Sequence, residues 1–296
     1  MIRRQQLLAL LLVLALGAPG FADEPDPRAD QMRAMTQAPL VVQADLDDDD
    51  LVMTRDVPYT SDGTEGPSLD VYSPRGASGA PAILFLHGGP SPPGGLPSTI
   101  PLPKDWQFYK DYGRLAAAHG FVALVPNYRY RSIDKLTTAL GDIEAALEWL
   151  TENAKEIGAD PQQINVWLFS GGGAHLGFLA TGVAADIQAI VAFYPVAGLD
   201  AFASMGMGAT RPEIVGKWEP AGLLDESWPP LFIARAGRDS PAINASIDAF
   251  VAESVKSDVT LELLTHPAGQ HGFDLLDDVP RSRELIRRAF AFLSDR

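Results

Sequence analysis

The chain of 296 residues contains no cysteine. That absence excludes disulfides, thiolate metal sites and a cysteine nucleophile together. A chain without such cross-links relies on its hydrophobic core, and a single α/β domain commonly reaches this length. Basic residues are also few: 23 Lys and Arg face 38 Asp and Glu, for a formal charge of -15. A surface of that sign repels phosphate backbones and anionic lipid, so neither nucleic acid nor a membrane surface is an expected partner. Membrane-length apolar runs are missing too. The run over residues 7–16 falls short of the roughly 20 that span a bilayer.

Arg3 and Arg4 precede that run, and Gly17, Pro19, Gly20 and Ala22 follow it. A positive start, a short apolar stretch and small residues before a cleavage point describe a secretory signal peptide over 1–22. The expectation is a protein exported to the periplasm or the medium, with no stable membrane anchor after cleavage. Loss of Arg3 and Arg4 leaves 21 basic against 38 acidic residues, or -17. Residues 23–50 are polar, with Pro25, Pro27, Pro39 and the run Asp47, Asp48, Asp49 and Asp50. A calcium loop alternates its ligands around a glycine turn, which this run does not. An acidic flexible linker is therefore expected over 23–50, with little order before Leu51.

From Leu51 the chain alternates strand and helix. Two short strands, 51–59 and 69–72, flank the turn signals Asp62-Gly63 and Gly66-Pro67 and suit an antiparallel pair. Apolar runs follow at 82–86, 121–125, 164–169, 187–193 and 231–234. Strands of that kind are buried on both faces, as in a parallel sheet covered by helices. Helical patterns fall between them: 105–119, a stripe from Ile133 to Leu150 begun by Ser132 and closed by Gly158, 241–256, and a last helix starting at Pro280. The fold class is α/β, a doubly wound and mostly parallel sheet. The interval 195–230 breaks the alternation and reads as a cap-like insertion above the strand ends.

The stretch 164–175, INVWLFSGGGAH, places one serine and three glycines between a buried strand and a helical pattern. Ser170 at such an apex has its hydroxyl clear of the backbone, and the next amide, of Gly171, points where an oxyanion forms. A second donor is supplied by the strand 82–86, which ends in His87-Gly88-Gly89-Pro90. Glycine lets the backbone approach a ligand closely, so Gly88 or Gly89 is expected to donate, whereas Pro90 has no amide. His87 is expected to hold this loop by a hydrogen bond. The base is expected at His271, on the longer loop THPAGQHGFD, with His266 as the alternative; His119 reads as a helix C-cap and His175 as packed. The acid is expected at Asp239, after the strand 231–234 and before the histidine. Its competing role is the cap of the next helix, and Asp200 and Asp274 are the alternatives.

HGGP, FSGGG, AGRD and HGFD in this order resemble an α/β-hydrolase of the dienelactone-hydrolase and esterase/lipase relatives, over residues 51–296. The resemblance implies Ser170, Asp239 and His271 as a triad, Gly88, Gly89 and Gly171 as the oxyanion region, and no metal or organic cofactor. Two departures matter. Leu168 stands where the Gly-x-Ser-x-Gly elbow has its first glycine, and dienelactone hydrolases use a cysteine that this chain lacks. A register with Gly171 at the apex, aligning His175 with a Ser-x-Gly-Gly-His form, would have no nucleophile. The expected activity is hydrolysis of small-molecule carboxylic esters through an acyl-enzyme. A serine peptidase of the same fold and a non-catalytic binding protein on that scaffold are the alternatives.

Overall fold

The apolar runs become neighbours in one eight-stranded sheet of order β1-β2-β4-β3-β5-β6-β7-β8. The strands are β1 (Leu51–Pro58), β2 (Ser68–Pro74), β3 (Ala80–Leu86), β4 (Val122–Pro126), β5 (Ala159–Phe169), β6 (Ile187–Phe193), β7 (Leu231–Ala236) and β8 (Leu261–His266). β2 runs antiparallel to both β1 and β4, and every pair beyond is parallel. The computed structural model describes residues 27–60, 67–91, 96, 98–181, 185–208 and 211–296. The segment 1–22 read as a signal peptide and the turn at Asp62-Gly63 lie outside them.

The helices are α1 (Pro27–Thr36), α2 (Gln107–Ala118), α3 (Leu136–Ile157), α4 (Leu176–Ala180), α5 (Asp200–Ser204), α6 (Pro212–Trp218), α7 (Pro241–Lys256), α8 (Phe273–Leu276) and α9 (Pro280–Ser294). Because strand side chains alternate between faces, Leu84, Leu86, Val166 and Leu168 pack with Leu140, Ile143 and Leu147 of α3. Ile83, Phe85, Trp167 and Phe169 turn the other way, onto Tyr112 and Leu115 of α2 and Leu285 and Phe290 of α9. The expected start of α3 at Ser132 is displaced. A 3-10 turn, Ile133–Lys135, comes first, and Ser132 makes no side-chain cap bond to it. Gly158 does end the helix, at φ +78°, with a would-be Cβ only 2.4 Å from the Ala77 carbonyl oxygen.

The flexible linker expected over 23–50 is corrected across its described part. α1 forms there, and Met32, Met35 and Leu40 are buried. The Leu40 amide donates to Asp111 Oδ2 at 2.9 Å, the Val41 amide to the Asp274 carbonyl at 2.8 Å, and Asp48 pairs with Arg114 at 2.8 Å. Three apolar side chains anchor a segment whose average composition is polar, and burial of each contributes about 1.5 to 3 kcal/mol. The interval 195–230 contains α5, α6 and a 3-10 turn (Pro220–Gly222). Phe202 and Trp218 join the core there, while Met205 and Met207 face a cavity above the strand ends.

Candidate active site

β5 ends at Phe169, and the chain turns so sharply that Ser170 has φ +53°. Such a backbone costs a non-glycine residue of order 1–3 kcal/mol and persists only where its surroundings enforce it. Those surroundings are visible. A Cβ on Gly171 would lie 1.7 Å from the Gly89 carbonyl oxygen, and one on Gly173 2.3 Å from that of Val196. The Val196 amide donates to the Ser170 carbonyl at 2.8 Å. The elbow is thus pressed between the loops after β3 and β6, and only glycines fit. Ser170–His175 forms a 3-10 turn, and α4 follows from Leu176, where the helical pattern after the glycines lies. Leu168 leaves the turn undisturbed. It is fully buried on the α3 face of the sheet, 3.5 Å from where Gly172 would carry a Cβ.

The loops after β7 and β8 are bound together before either reaches the serine. The Gly237 amide donates to the His266 carbonyl at 2.9 Å and the Arg238 amide to that of Gly269 at 2.8 Å. Beyond these bonds, His271 Nδ1 lies 2.6 Å from Asp239 Oδ2, and His271 Nε2 lies 2.7 Å from Ser170 Oγ. A carboxylate only accepts, so Nδ1 carries the proton. Nε2 then accepts the Ser170 hydroxyl proton, which is the tautomer a general base needs. The competing cap role falls to the neighbouring residue: Ser240 Oγ accepts from the Ala242 amide at 3.2 Å, and Asp239 Oδ1 receives the Ser240 amide at 2.7 Å. Gly272, at φ +70°, turns the chain from His271 into α8.

The residues held as alternatives lie elsewhere. His266 Nε2 meets Ser282 Oγ at 3.2 Å, and His119 caps α2 with its ring stacked on Phe290. Asp274 is buried behind His271, accepting from the hydroxyls of Tyr112 and Tyr194 at 2.7 Å each; burial raises its pKa against those two bonds. Asp200 sits in the first turn of α5. His87 donates from Nδ1 to the Gly88 carbonyl at 2.6 Å and stacks on Tyr128, whose hydroxyl donates to the His87 carbonyl at 2.6 Å. Burial pushes its pKa down to about 4, and that of His175, which contacts the same Tyr128 hydroxyl, to about 3. Both rings are therefore neutral supports of the glycine loop at ordinary pH.

Of the three expected oxyanion amides, Gly88's is engaged: it donates to Tyr109 Oη at 3.1 Å. Gly89 and Gly171 remain, pressed together as described. Ser170 lines a cavity of about 490 Å³ together with Met32, Met35, Trp106, Met205, Met207 and Ile243. Among the described residues no group of three or more His, Asp or Glu side chains is arranged to hold a metal ion.

Residues 69–247, more than half the chain, match the protein family BD-FAE. The chain belongs to the BD-FAE family. The ethyl acetate hydrolase of Pseudomonas putida is 28% identical over 217 residues, covering 65% of this chain and 65% of that protein. The chain spans less than two thirds of the length of the curated relatives it matches. Among solved structures, the inhibited esterase B from Lactobacillus rhamnosis superposes with a TM-score of 0.67 at 17% identity, over 90% of this chain and 92% of that one. Thermogutta terrifontis esterase 2 phosphorylated by paraoxon gives 0.63 at 22% identity, over 83% and 94%. At such identities the likeness shows the fold, and it is the α/β-hydrolase fold expected from the motifs.

Three residues of this site, Tyr109, Met32 and Met35, escape sequence reasoning. Tyr109 sits among Phe108, Tyr112 and Leu115 on α2, where a 3,4-spaced aromatic reads as core. Met32 and Met35 lie in a segment whose composition is otherwise that of a linker; their one-turn spacing was the available signal.

Proposed function

We propose that the chain is an exported serine hydrolase that cleaves carboxylic esters of short or medium acyl length. The observation that carries this reading is the line of two short hydrogen bonds from Asp239 through His271 to Ser170, ending at the floor of an apolar cavity. The family membership and the ethyl acetate hydrolase relative support it. Ser170 Oγ attacks the ester carbonyl as its proton passes to His271 Nε2, and the carbonyl π pair moves onto oxygen beside the Gly89 and Gly171 amides. Collapse expels the alcohol, which takes the proton from His271. Water, deprotonated by the same nitrogen, then releases the acid and restores Ser170. Asp239 keeps its charge throughout and stabilises the imidazolium.

The acyl preference is argued from the cavity walls. Met205 and Met207 come from an insertion too short for a large helical lid, and Met32 and Met35 of α1 line the same cavity. Each methylene the cavity encloses contributes about 0.8 kcal/mol, or roughly fourfold in kcat/KM. In a series of p-nitrophenyl esters, kcat/KM is expected to rise over the first carbons and to fall beyond about eight, where added methylenes stay in water. Fastest turnover of long-chain esters, or activation at an oil interface, would contradict the assignment. Export rests on the basic start and short apolar run. Secreted material should begin at Asp23 by intact mass, and retention of Met1 would contradict it.

A further inference from the structure

Tyr109, on α2, reaches the cavity wall beside Phe169, Ser170 and His271, and its side chain is buried. Its Oη accepts from the Gly88 amide at 3.1 Å. Among the described residues nothing accepts its own proton. A phenol has one donor to place, and leaving a buried donor unmade costs of order 1–3 kcal/mol. Tyr109 lines the same cavity as Ser170 and His271. Gly88 itself lies against the nucleophile, since a Cβ there would be 3.1 Å from Ser170 Cβ and 3.5 Å from Ser170 Oγ. Desolvation holds the phenol well above its ordinary pKa, and the Asp274 charge adds to this against the Gly88 bond, so the group stays a neutral donor.

The loop His87-Gly88-Gly89-Pro90 is short of donors. Pro90 has no N–H, and the Gly88 N–H is turned onto Tyr109. We propose that Tyr109 is a catalytic residue: its hydroxyl donates to the oxyanion of the tetrahedral intermediate, alongside the amides of Gly89 and Gly171. The Gly88 amide then acts through it, because an N–H donated to Oη polarises the O–H that points onward. No proton leaves the tyrosine; the serine proton goes to His271 as before. The assignment rests on Ser170 being the nucleophile.

The test is Tyr109→Phe in the full-length protein, which removes one oxygen from a buried ring. Loss of a single oxyanion donor lowers kcat by about a hundredfold or more. That loss is expected here for p-nitrophenyl butyrate, with KM changed less than about threefold. Affinity for a trifluoromethyl ketone, which forms an oxyanion adduct on the serine, should fall by a similar factor, while affinity for the matching alcohol, which forms none, stays put. A merely structural tyrosine would move both ligands together. Ser170→Ala in the same assay separates the two claims: an active Ser170→Ala sinks the nucleophile itself. An inactive Ser170→Ala beside a Tyr109→Phe enzyme with wild-type kcat and ketone affinity overturns only the tyrosine. If Tyr109→Phe does not fold, 3-fluorotyrosine placed at 109 makes the phenol more acidic and should raise ketone affinity relative to the alcohol; an unchanged ratio overturns the proposal.

Discussion

Ser170→Ala is expected to lower kcat/KM for p-nitrophenyl butyrate by about 10⁴ to 10⁶ while leaving the protein folded. The oxyanion amides and the cavity survive this change, but they stabilise a transition state that no longer has its nucleophile. Its effect on stability should be small. The serine gives up one hydrogen bond to His271, worth about 1 kcal/mol, and alanine must adopt the same φ of +53° without losing other contacts. A melting temperature within a few degrees of wild type, read beside ester turnover, checks both halves. Appreciable turnover by the alanine protein would mean that the elbow only shapes the fold.

Asp239→Asn should cost about 10⁴ in kcat. The asparagine keeps the shape, and its amide oxygen can still receive the Ser240 amide in place of Oδ1. Its NH₂ would then face His271 Nδ1 and require that nitrogen to accept. The ring proton moves to Nε2, the atom that must take the serine proton, and the base is lost. A purely capping aspartate predicts something different: reduced stability with kcat intact. Ser240→Ala supplies the contrast, since it deletes the bond to the Ala242 amide, worth about 1 kcal/mol, and touches no part of the relay. Thermal melts and kcat on both variants distinguish the roles, and a fully active Asp239→Asn enzyme would remove Asp239 from the mechanism.

Much of this arrangement was legible in the sequence because it depends on short-range rules. Largely apolar runs such as 164–169 and 187–193 indicate two-sided burial, and β5 and β6 lie inside the sheet, away from its edges. Chain order placed Asp239 and His271 on the loops after adjacent strands, and the backbone bonds between those loops bring the two side chains together. What stayed hidden depends on direction or on distant partners. Gly88 and Gly89 look alike as letters, yet only the fold shows that Tyr109, 21 residues away, occupies the first of their amides. The segment 27–50 has a linker's average composition, and averages conceal Met32, Met35 and Leu40, whose partners arrive from elsewhere. Leu168 looked like an obstacle at the elbow. It is harmless because its side chain packs into the α3 core with Leu86 and Val166, on the face of β5 opposite to Trp167 and Phe169, and the strand ends before Ser170.

The central claim is that Ser170 is an activated nucleophile, and covalent capture tests it most directly. The full-length protein is treated with a fluorophosphonate at neutral pH, and the site of attachment is located by peptide mass mapping. One phosphonyl group per chain on Ser170, absent from Ser170→Ala and strongly slowed in Asp239→Asn, is the predicted result. Absence of labelling in folded wild-type protein, or a label on another serine, would contradict it.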